Sequence, residues 1–297
     1  NSYLNQEKGS YLGGLILNRC DSENPGKPDI MEKFIAEGNL STFTSMIADR
    51  SSALVLPSTR FESVLLCSLI SELNKSRKKF DYIYSSSYTF FLTSLFLLFE
   101  NETDLKENMK RFFSAEQTAK NLYIVFPEKY IFSNNRLVKY AFELASSRRV
   151  EMFHPLPLCA LETDNSGRIM STGSLGNIMS ASLTTSPDYQ PVNINGAYYT
   201  SGFPGLSVHS SHLFRTEADD IFSISLINRE KLRIPEGLYN EYYSASLNSM
   251  EKLSCKGDEY LEPGKNLILD VSESEFKFDR IFNSTLKASQ QLLTKIV

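Results

Sequence analysis

The fold is decided by residues 53–99, ALVLPSTRFESVLLCSLISELNKSRKKFDYIYSSSYTFFLTSLFLLF. This stretch contains two short β-like runs, Ala53–Leu56 and Tyr82–Tyr84, each followed by turn residues and then by apolar residues at helical spacing. The helical patterns cover Phe61–Lys75 and Tyr88–Phe99. Because a strand, a helix and a second strand within about 30 residues are typical of a βαβ unit, we expect the two strands to be parallel.

The same alternation runs through the N-terminal half of the chain. Further β-like runs occur at Leu12–Leu17, Leu122–Phe126 and Val150–Phe153, and further helical patterns at Ile30–Asp49, Asp104–Phe113 and Asn135–Ser146. Strands that alternate with helices predict a parallel sheet covered by helices on both faces. The sequence therefore predicts an α/β fold with a Rossmann-like, mainly parallel sheet in this half.

The C-terminal half is less regular. Residues Thr163–Gln190 are dense in Ser, Thr, Gly and Asn and predict a long loop or hairpin region. Beyond them come β-like runs at Val192–Tyr199, Ile221–Ile227 and Leu267–Val271, and helical patterns at Leu238–Leu253 and Phe282–Ile296. We expect mixed or antiparallel strands with helices here. The change in composition gives two regions, 1–160 and 161–297, although one continuous domain fits the same patterns.

Charge and reactive side chains narrow the classes of function. A net charge of -4 predicts no general nucleic-acid binding. With 3 His and with 4 Cys that are spread singly, we predict no metal site and no bound cofactor. Unpaired cysteines suit a reducing compartment, so we expect a cytoplasmic protein. The chain begins with Asn1 rather than Met, as a fragment or processed product does, so the lack of a targeting signal says little.

The most apolar run bears on the membrane question. Tyr88–Phe99 has 12 residues, whereas a membrane-spanning helix needs roughly 20. The sequence therefore predicts a buried core helix at this position and no membrane span.

Two strand ends carry hydroxyl-rich turns that lead directly into helices. Ligands of open parallel sheets bind at the carboxyl ends of the strands, where hydroxyls, free N–H groups and a guanidinium suit an anion. We therefore predict a small anionic or nucleotide-like ligand, bound by Arg19, Ser58, Thr59, Arg60, Ser86 and Ser87. The serines and the threonine suit helix capping as well.

A catalytic role depends on one histidine. His154 follows the β-like run Val150–Phe153, so it is the candidate general base of a group-transfer enzyme, which would be transferase-like. The stretch Gly202–Ser207 lacks the G-x-S-x-G spacing of a nucleophile elbow, which leaves a serine hydrolase with little support.

Two other classes of function fit the sequence. The shortage of His and Cys and the long polar segment suit a non-catalytic structural or interaction subunit with protein partners. A weaker alternative is a metal-dependent nuclease, in which Asp270, Glu275 and Lys277 hold a divalent ion and orient water.

Overall fold

The chain is built around a single sheet, seen in a computed structural model that describes residues 51–76, 79–114, 133–163, 167–184, 189–201, 218, 220–230, 232 and 266–296. Some sequence predictions lie outside these residues: the β-like runs at Leu12–Leu17 and Leu122–Phe126, the helical patterns at Ile30–Asp49 and Leu238–Leu253, and the ligand-binding role of Arg19.

The sheet has eight described strands and is mostly parallel. They are β1 (Ser52–Val55), β2 (Tyr82–Ser85), β3 (Leu156–Glu162), β4 (Gly167–Met170), β5 (Val192–Ile194), β6 (Ala197–Ser201), β7 (Asp220–Asn228) and β8 (Asn266–Val271). Their spatial order is β5-β6-β3-β2-β1-β7-β8, with β4 also paired to β3. Strands β3, β2, β1, β7 and β8 are parallel, whereas β4 and β6 run antiparallel to β3. The predicted α/β class is therefore confirmed, with its parallel N-terminal strands and mixed C-terminal strands.

Six α-helices pack against the sheet in the described part of the chain. They are α1 (Cys67–Lys75), α2 (Ser87–Leu98), α3 (Glu102–Phe112), α4 (Asn135–Ala145), α5 (Leu175–Leu183) and α6 (Phe278–Leu293). A 3-10 helix, Phe61–Leu66, leads into α1, and a second one covers Val150–Met152. Helix α2 is the predicted buried core helix. Among the residues that the structure describes, no helix has both the length and the apolar character needed to cross a membrane.

Both faces of the central strands are buried, but the described helices share one face. Leu54 and Leu56 point into the large core, to which all six helices contribute, while Ala53 and Val55 point the other way. On that second face the described residues form a smaller cluster around Tyr84. The expected covering of both faces by helices is thus seen for one face in the described part of the chain.

The predicted strand Val150–Phe153 is wrong. Val150–Met152 form a 3-10 helix in which only Val150 is buried, and the strand begins after it, at Leu156. The strand was not predicted at this position because it contains Pro157, and proline has no N–H to donate to a sheet. Position 157 pairs with β2, and β4 and β6 join β3 only from Cys159 onward, so one side of the strand has no described partner at the proline.

The predicted loop Thr163–Gln190 contains strand β4 and helix α5. Helix α5 is buried although it is rich in Ser, because its hydroxyls bond to its own backbone. Ser180 Oγ donates to the Gly176 carbonyl at 2.6 Å, and Ser182 Oγ donates to the Met179 carbonyl at 2.8 Å. Satisfied hydroxyls of this kind can enter a core at little cost.

The predicted strand Val192–Tyr199 is a hairpin. Strands β5 and β6 are joined at Asn195 and Gly196, whose φ angles are 53° and 88°. Two successive residues with positive φ are the signature of a tight hairpin turn, and an Asn-Gly pair is the commonest way to make one.

The strand order places a topological switch point beside β1. Moving from β1 to β2 and β3, the chain builds the sheet in one direction, whereas β7 and β8 lie on the opposite side of β1. Ligands of open α/β sheets bind outside the carboxyl ends of strands at such a point. Strands from both halves of the chain meet there, and the division into regions 1–160 and 161–297 stays a prediction.

Candidate functional site

The loop after β1 and the turn after β2 lie side by side, at the carboxyl ends of these two parallel strands. Thr59 pairs with Ser87 in a parallel bridge just beyond the two strands. The Leu56 amide also donates to the Tyr84 carbonyl at 2.9 Å, which extends the ladder into the loop. The structure therefore brings Ser58, Thr59 and Arg60 together with Ser86 and Ser87.

Ser58 and Ser86 form the first contact across this site. Ser86 Oγ donates to Ser58 Oγ at 2.5 Å. Because Ser86 uses its single proton in that bond, the Ser58 hydroxyl keeps a proton that it can donate to a ligand. Ser58 is half-buried, so the cluster approaches the surface on the side of the β1 loop.

Arg60 holds the other end of the loop. Its side chain is buried and interacts with groups of the protein. Its carbonyl accepts a short hydrogen bond from Ser63 Oγ, which anchors the start of the 3-10 helix Phe61–Leu66.

Thr89 links the two segments from inside α2. Its Oγ1 donates to the Pro57 carbonyl at 2.7 Å and lies 3.0 Å from Thr59 Oγ1. Since Thr89 has only one hydroxyl proton, Thr59 is the donor in the second bond. The loop after β1 is therefore tied to the first turn of α2 by two consecutive hydrogen bonds.

A second pair of hydroxyls fixes the end of β2. Thr93 Oγ1 donates to the Thr89 carbonyl at 3.0 Å and lies 3.1 Å from Ser85 Oγ. Its single proton is used in the first bond, so Ser85 donates to Thr93. All three residues are fully buried, and each hydroxyl is hydrogen-bonded.

Ser87 differs from these neighbours in both backbone and side chain. Its φ is 56°, a left-handed conformation that costs a residue other than glycine roughly 1–2 kcal/mol. The residue is fully buried, and its Oγ has no hydrogen-bond partner among the described residues. An unsatisfied buried hydroxyl costs about 1–3 kcal/mol. Two penalties therefore coincide at a single residue.

The surroundings of Ser87 combine polar backbone groups with an apolar wall. Ser87 is the first residue of α2, where the leading N–H groups have no partner within the helix and carry partial positive charge. The next residue, Tyr88, packs its ring edge-on against Phe61 and Phe112, at centroid distances of 5.3 and 5.4 Å. Negative charge that develops at Ser87 would therefore be close to the oriented N–H groups at the start of α2 and to apolar side chains that exclude water.

His154 lies at the amino ends of the parallel strands, whereas Ser87 lies at their carboxyl ends. It precedes β3, and Leu156 is in register with Tyr82 at the start of β2, whereas Ser86 and Ser87 follow the end of β2. With a rise of about 3.3 Å per residue, the four residues of β2 alone separate the two ends of the strand by about 13 Å. His154 is also exposed. The structure does not bring it to the other predicted site residues, because the strand starts later than its pattern indicates.

The carboxylates of the nuclease alternative are already paired with cations. Arg229 Nε donates to Asp270 at 2.8 Å and holds the pKa of this carboxyl below its usual range. Lys277, and then Arg280, lower the pKa of Glu275 in the same way. Among the residues with described positions, no three His, Cys, Asp or Glu side chains are grouped to hold a metal ion.

Sequence reasoning named Ser87 as a ligand-binding residue but missed its left-handed turn. Residues 85–89 read S-S-S-Y-T, so the glycines by which a nucleophile elbow is usually recognised are absent. A signal was nevertheless present, since three serines stand between a β-like run and the most apolar helix. Thr89 and Thr93 were read as part of that helix and not as part of a site.

Comparison with known proteins leaves the function open. No protein-family model matches the sequence, and no curated protein does. Solved structures that resemble this one include the crystal structure of VipD from Legionella pneumophila, with a TM-score of 0.43 and 10% sequence identity. That match covers 82% of this chain and 67% of VipD. A similarity this distant carries no argument about ligand or reaction.

Proposed function

We propose that the protein binds a small anionic ester at the carboxyl ends of β1 and β2 and transfers its acyl group through Ser87. The observation that carries the proposal is the fully buried Ser87, with φ of 56° and no partner for its Oγ among the described residues. Strained, unsatisfied residues cluster at functional sites, where the surrounding structure holds them in place.

The backbone around Ser87 supports a nucleophilic role. In a nucleophile elbow the serine occupies a strained turn between a strand and a helix, next to backbone N–H groups that stabilise an oxyanion. Ser87 stands between β2 and α2 in this way. Ser85 and Thr89 stand where the usual glycines would be, and their hydroxyls are hydrogen-bonded to Thr93 and Pro57.

The proposed reaction balances without a cofactor. Ser87 Oγ attacks the ester carbonyl, the bond to the leaving alcohol breaks, and the serine proton passes to the leaving oxygen. Water then cleaves the acyl-serine and restores the hydroxyl, or a second alcohol takes the acyl group. Ser58 and Arg60 would bind the anionic part of the substrate, since one has a proton to donate and the other a positive charge.

Covalent labelling tests the proposal directly. We expect a fluorophosphonate that enters on the side of the half-buried Ser58 to add once to the folded protein, with peptide mapping that places the adduct on Ser87. Ser87→Ala should abolish the adduct, while Ser94→Ala should retain it. Ser94 is a matched control because it is also fully buried in α2 and donates to its own helix, at the Phe90 carbonyl. Labelling that persists in Ser87→Ala would refute the proposal.

Stability provides an independent test. Ser87→Ala removes an unpaired buried hydroxyl, so it should raise the free energy of unfolding by about 1 kcal/mol. Ser87→Gly also relieves the positive φ and should add about 0.5–1 kcal/mol more. Variants that are more stable but unreactive are expected where function has imposed strain. A loss of stability in both variants would show that Ser87 is a structural residue.

A second candidate is a non-catalytic interaction subunit. It is favoured by two apolar side chains at the β7–β8 side of the sheet, Ile227 and Ile268, which are 45% and 56% exposed. Under this proposal a partner chain covers them. No labelling of Ser87, together with partners that are lost on Ile268→Asp substitution, would favour this candidate. A cytoplasmic location suits either candidate, since Cys67 and Cys159 are free thiols.

A further inference from the structure

Thr89 is the residue at which the hydrogen bonds of the site converge. Its hydroxyl donates to Pro57 and accepts from Thr59, while its carbonyl accepts from Thr93, which itself accepts from Ser85. Thr89 is fully buried and lies two residues after Ser87. It therefore contacts the β1 loop through its side chain, and its carbonyl holds the Thr93 hydroxyl that bonds to Ser85 at the end of β2.

The β1 loop is consequently anchored at the residues on both sides of Ser58. Thr59 pairs with Ser87 through the backbone bridge and with Thr89 through its hydroxyl. The carbonyl of Pro57 is held by the same Thr89 hydroxyl. Ser58 lies between these two anchored residues, so its position relative to Ser87 depends on Thr89.

We infer that Thr89 is a positioning residue, which holds Ser58 and the strained Ser87 in register for the transfer reaction. The inference rests on the proposed function of Ser87. A displacement of about 1 Å in a reacting group can lower a rate by two orders of magnitude. Loss of the Thr89 hydroxyl should therefore affect the reactivity of Ser87 far more than the loss of a comparable hydroxyl elsewhere in α2.

Three variants separate positioning from general stability. Thr89→Val keeps the shape and removes the hydroxyl, and Thr89→Ser keeps the hydroxyl. Thr93→Val makes the same chemical change one turn later, in a side chain that is also fully buried. We expect Thr89→Val to slow fluorophosphonate labelling of Ser87 by about tenfold or more. Thr89→Ser should restore the rate to within about threefold of the wild type, and Thr93→Val should change it less than Thr89→Val does.

Hydrogen exchange distinguishes failure of this inference from failure of the proposed function. In Thr89→Val we expect faster exchange at amides 58–60 and 86–90 than in Thr93→Val, whether or not Ser87 reacts. Unchanged exchange there, or a Thr89→Val labelling rate equal to that of the wild type, would overturn the positioning role. Faster exchange in a protein that is never labelled would keep the anchoring of the loop and overturn the reaction.

Discussion

A buried hydroxyl cluster between α1 and α6 gives the sharpest stability prediction. Ser68 Oγ lies 2.6 Å from Thr285 Oγ1 and 2.8 Å from Ser289 Oγ, and all three side chains are fully buried. Thr285 Oγ1 donates to the Ile281 carbonyl at 2.8 Å. One proton per hydroxyl then fixes the order: Ser289 donates to Ser68, and Ser68 donates to Thr285.

The size of the effect follows from this order. Ser68→Ala breaks two buried hydrogen bonds, each with a net value of about 1 kcal/mol, and leaves the Ser289 proton without its acceptor. We expect a loss of about 2–3 kcal/mol in the free energy of unfolding. In the triple variant Ser68→Ala, Thr285→Val, Ser289→Ala all three hydroxyls are replaced together. No polar group of the cluster is then left unpaired, so the triple variant should lie within about 1 kcal/mol of the wild type.

Urea denaturation of the single, double and triple variants measures these free energies of unfolding. Non-additivity is the expected result, because the three residues share one network. A Ser68→Ala loss below about 0.5 kcal/mol, or a triple variant as unstable as the sum of its single substitutions, would refute the assigned hydrogen-bond order.

Three further predictions concern other parts of the fold. Glu151 has a pKa lowered to about 2, first by the Gly173 amide, so its stabilising effect is present above its ordinary value of 4.5 and is lost toward pH 2. The difference in Tm between wild type and Glu151→Gln should therefore shrink across that range, and a constant difference would contradict this. Burial raises the pKa of the Cys67 and Cys159 thiols, so iodoacetamide at pH 8 should modify them only after unfolding, as peptide mapping can check. Leu54→Ala at a fully buried position should cost about 2–5 kcal/mol by chemical denaturation, and a loss below about 1 kcal/mol would place Leu54 outside the core.

Apolar periodicity predicted the elements that are buried in a regular way. The runs at Ala53–Leu56 and Tyr82–Tyr84 became adjacent parallel strands, because their alternating side chains are buried on both faces. The run at Tyr88–Phe99 became α2, since a mostly apolar run of 12 residues after a polar turn is buried within a core. These patterns reflect the dominant driving force of folding, which is the burial of apolar surface.

Elements that depend on local hydrogen bonding were harder to predict. Helix α5 looked like a loop because its serines are polar in composition, but they are satisfied within the helix. His154 was expected after a strand but precedes β3, because Pro155 and Pro157 made the start of that strand hard to recognise. Ser58 and Ser86 were expected at one end of the sheet by the rule for strand ends, and they are in contact, whereas the left-handed turn at Ser87 lacks the glycine that usually marks such a turn.

The position of β1 has a consequence for how the chain reaches its native state. Its register partner on one side is β7, with Ser52 opposite Asp220, and Ser68 on α1 bonds to Thr285, which is 217 positions later. Contacts between segments so far apart in sequence slow folding, since a long loop must close before they form. During synthesis one edge of β1 stays open until β7 has been made, and an open strand edge is a template for aggregation. A chain cut near residue 160 would retain that open edge permanently, so the N-terminal strands should need the C-terminal half to stay monomeric.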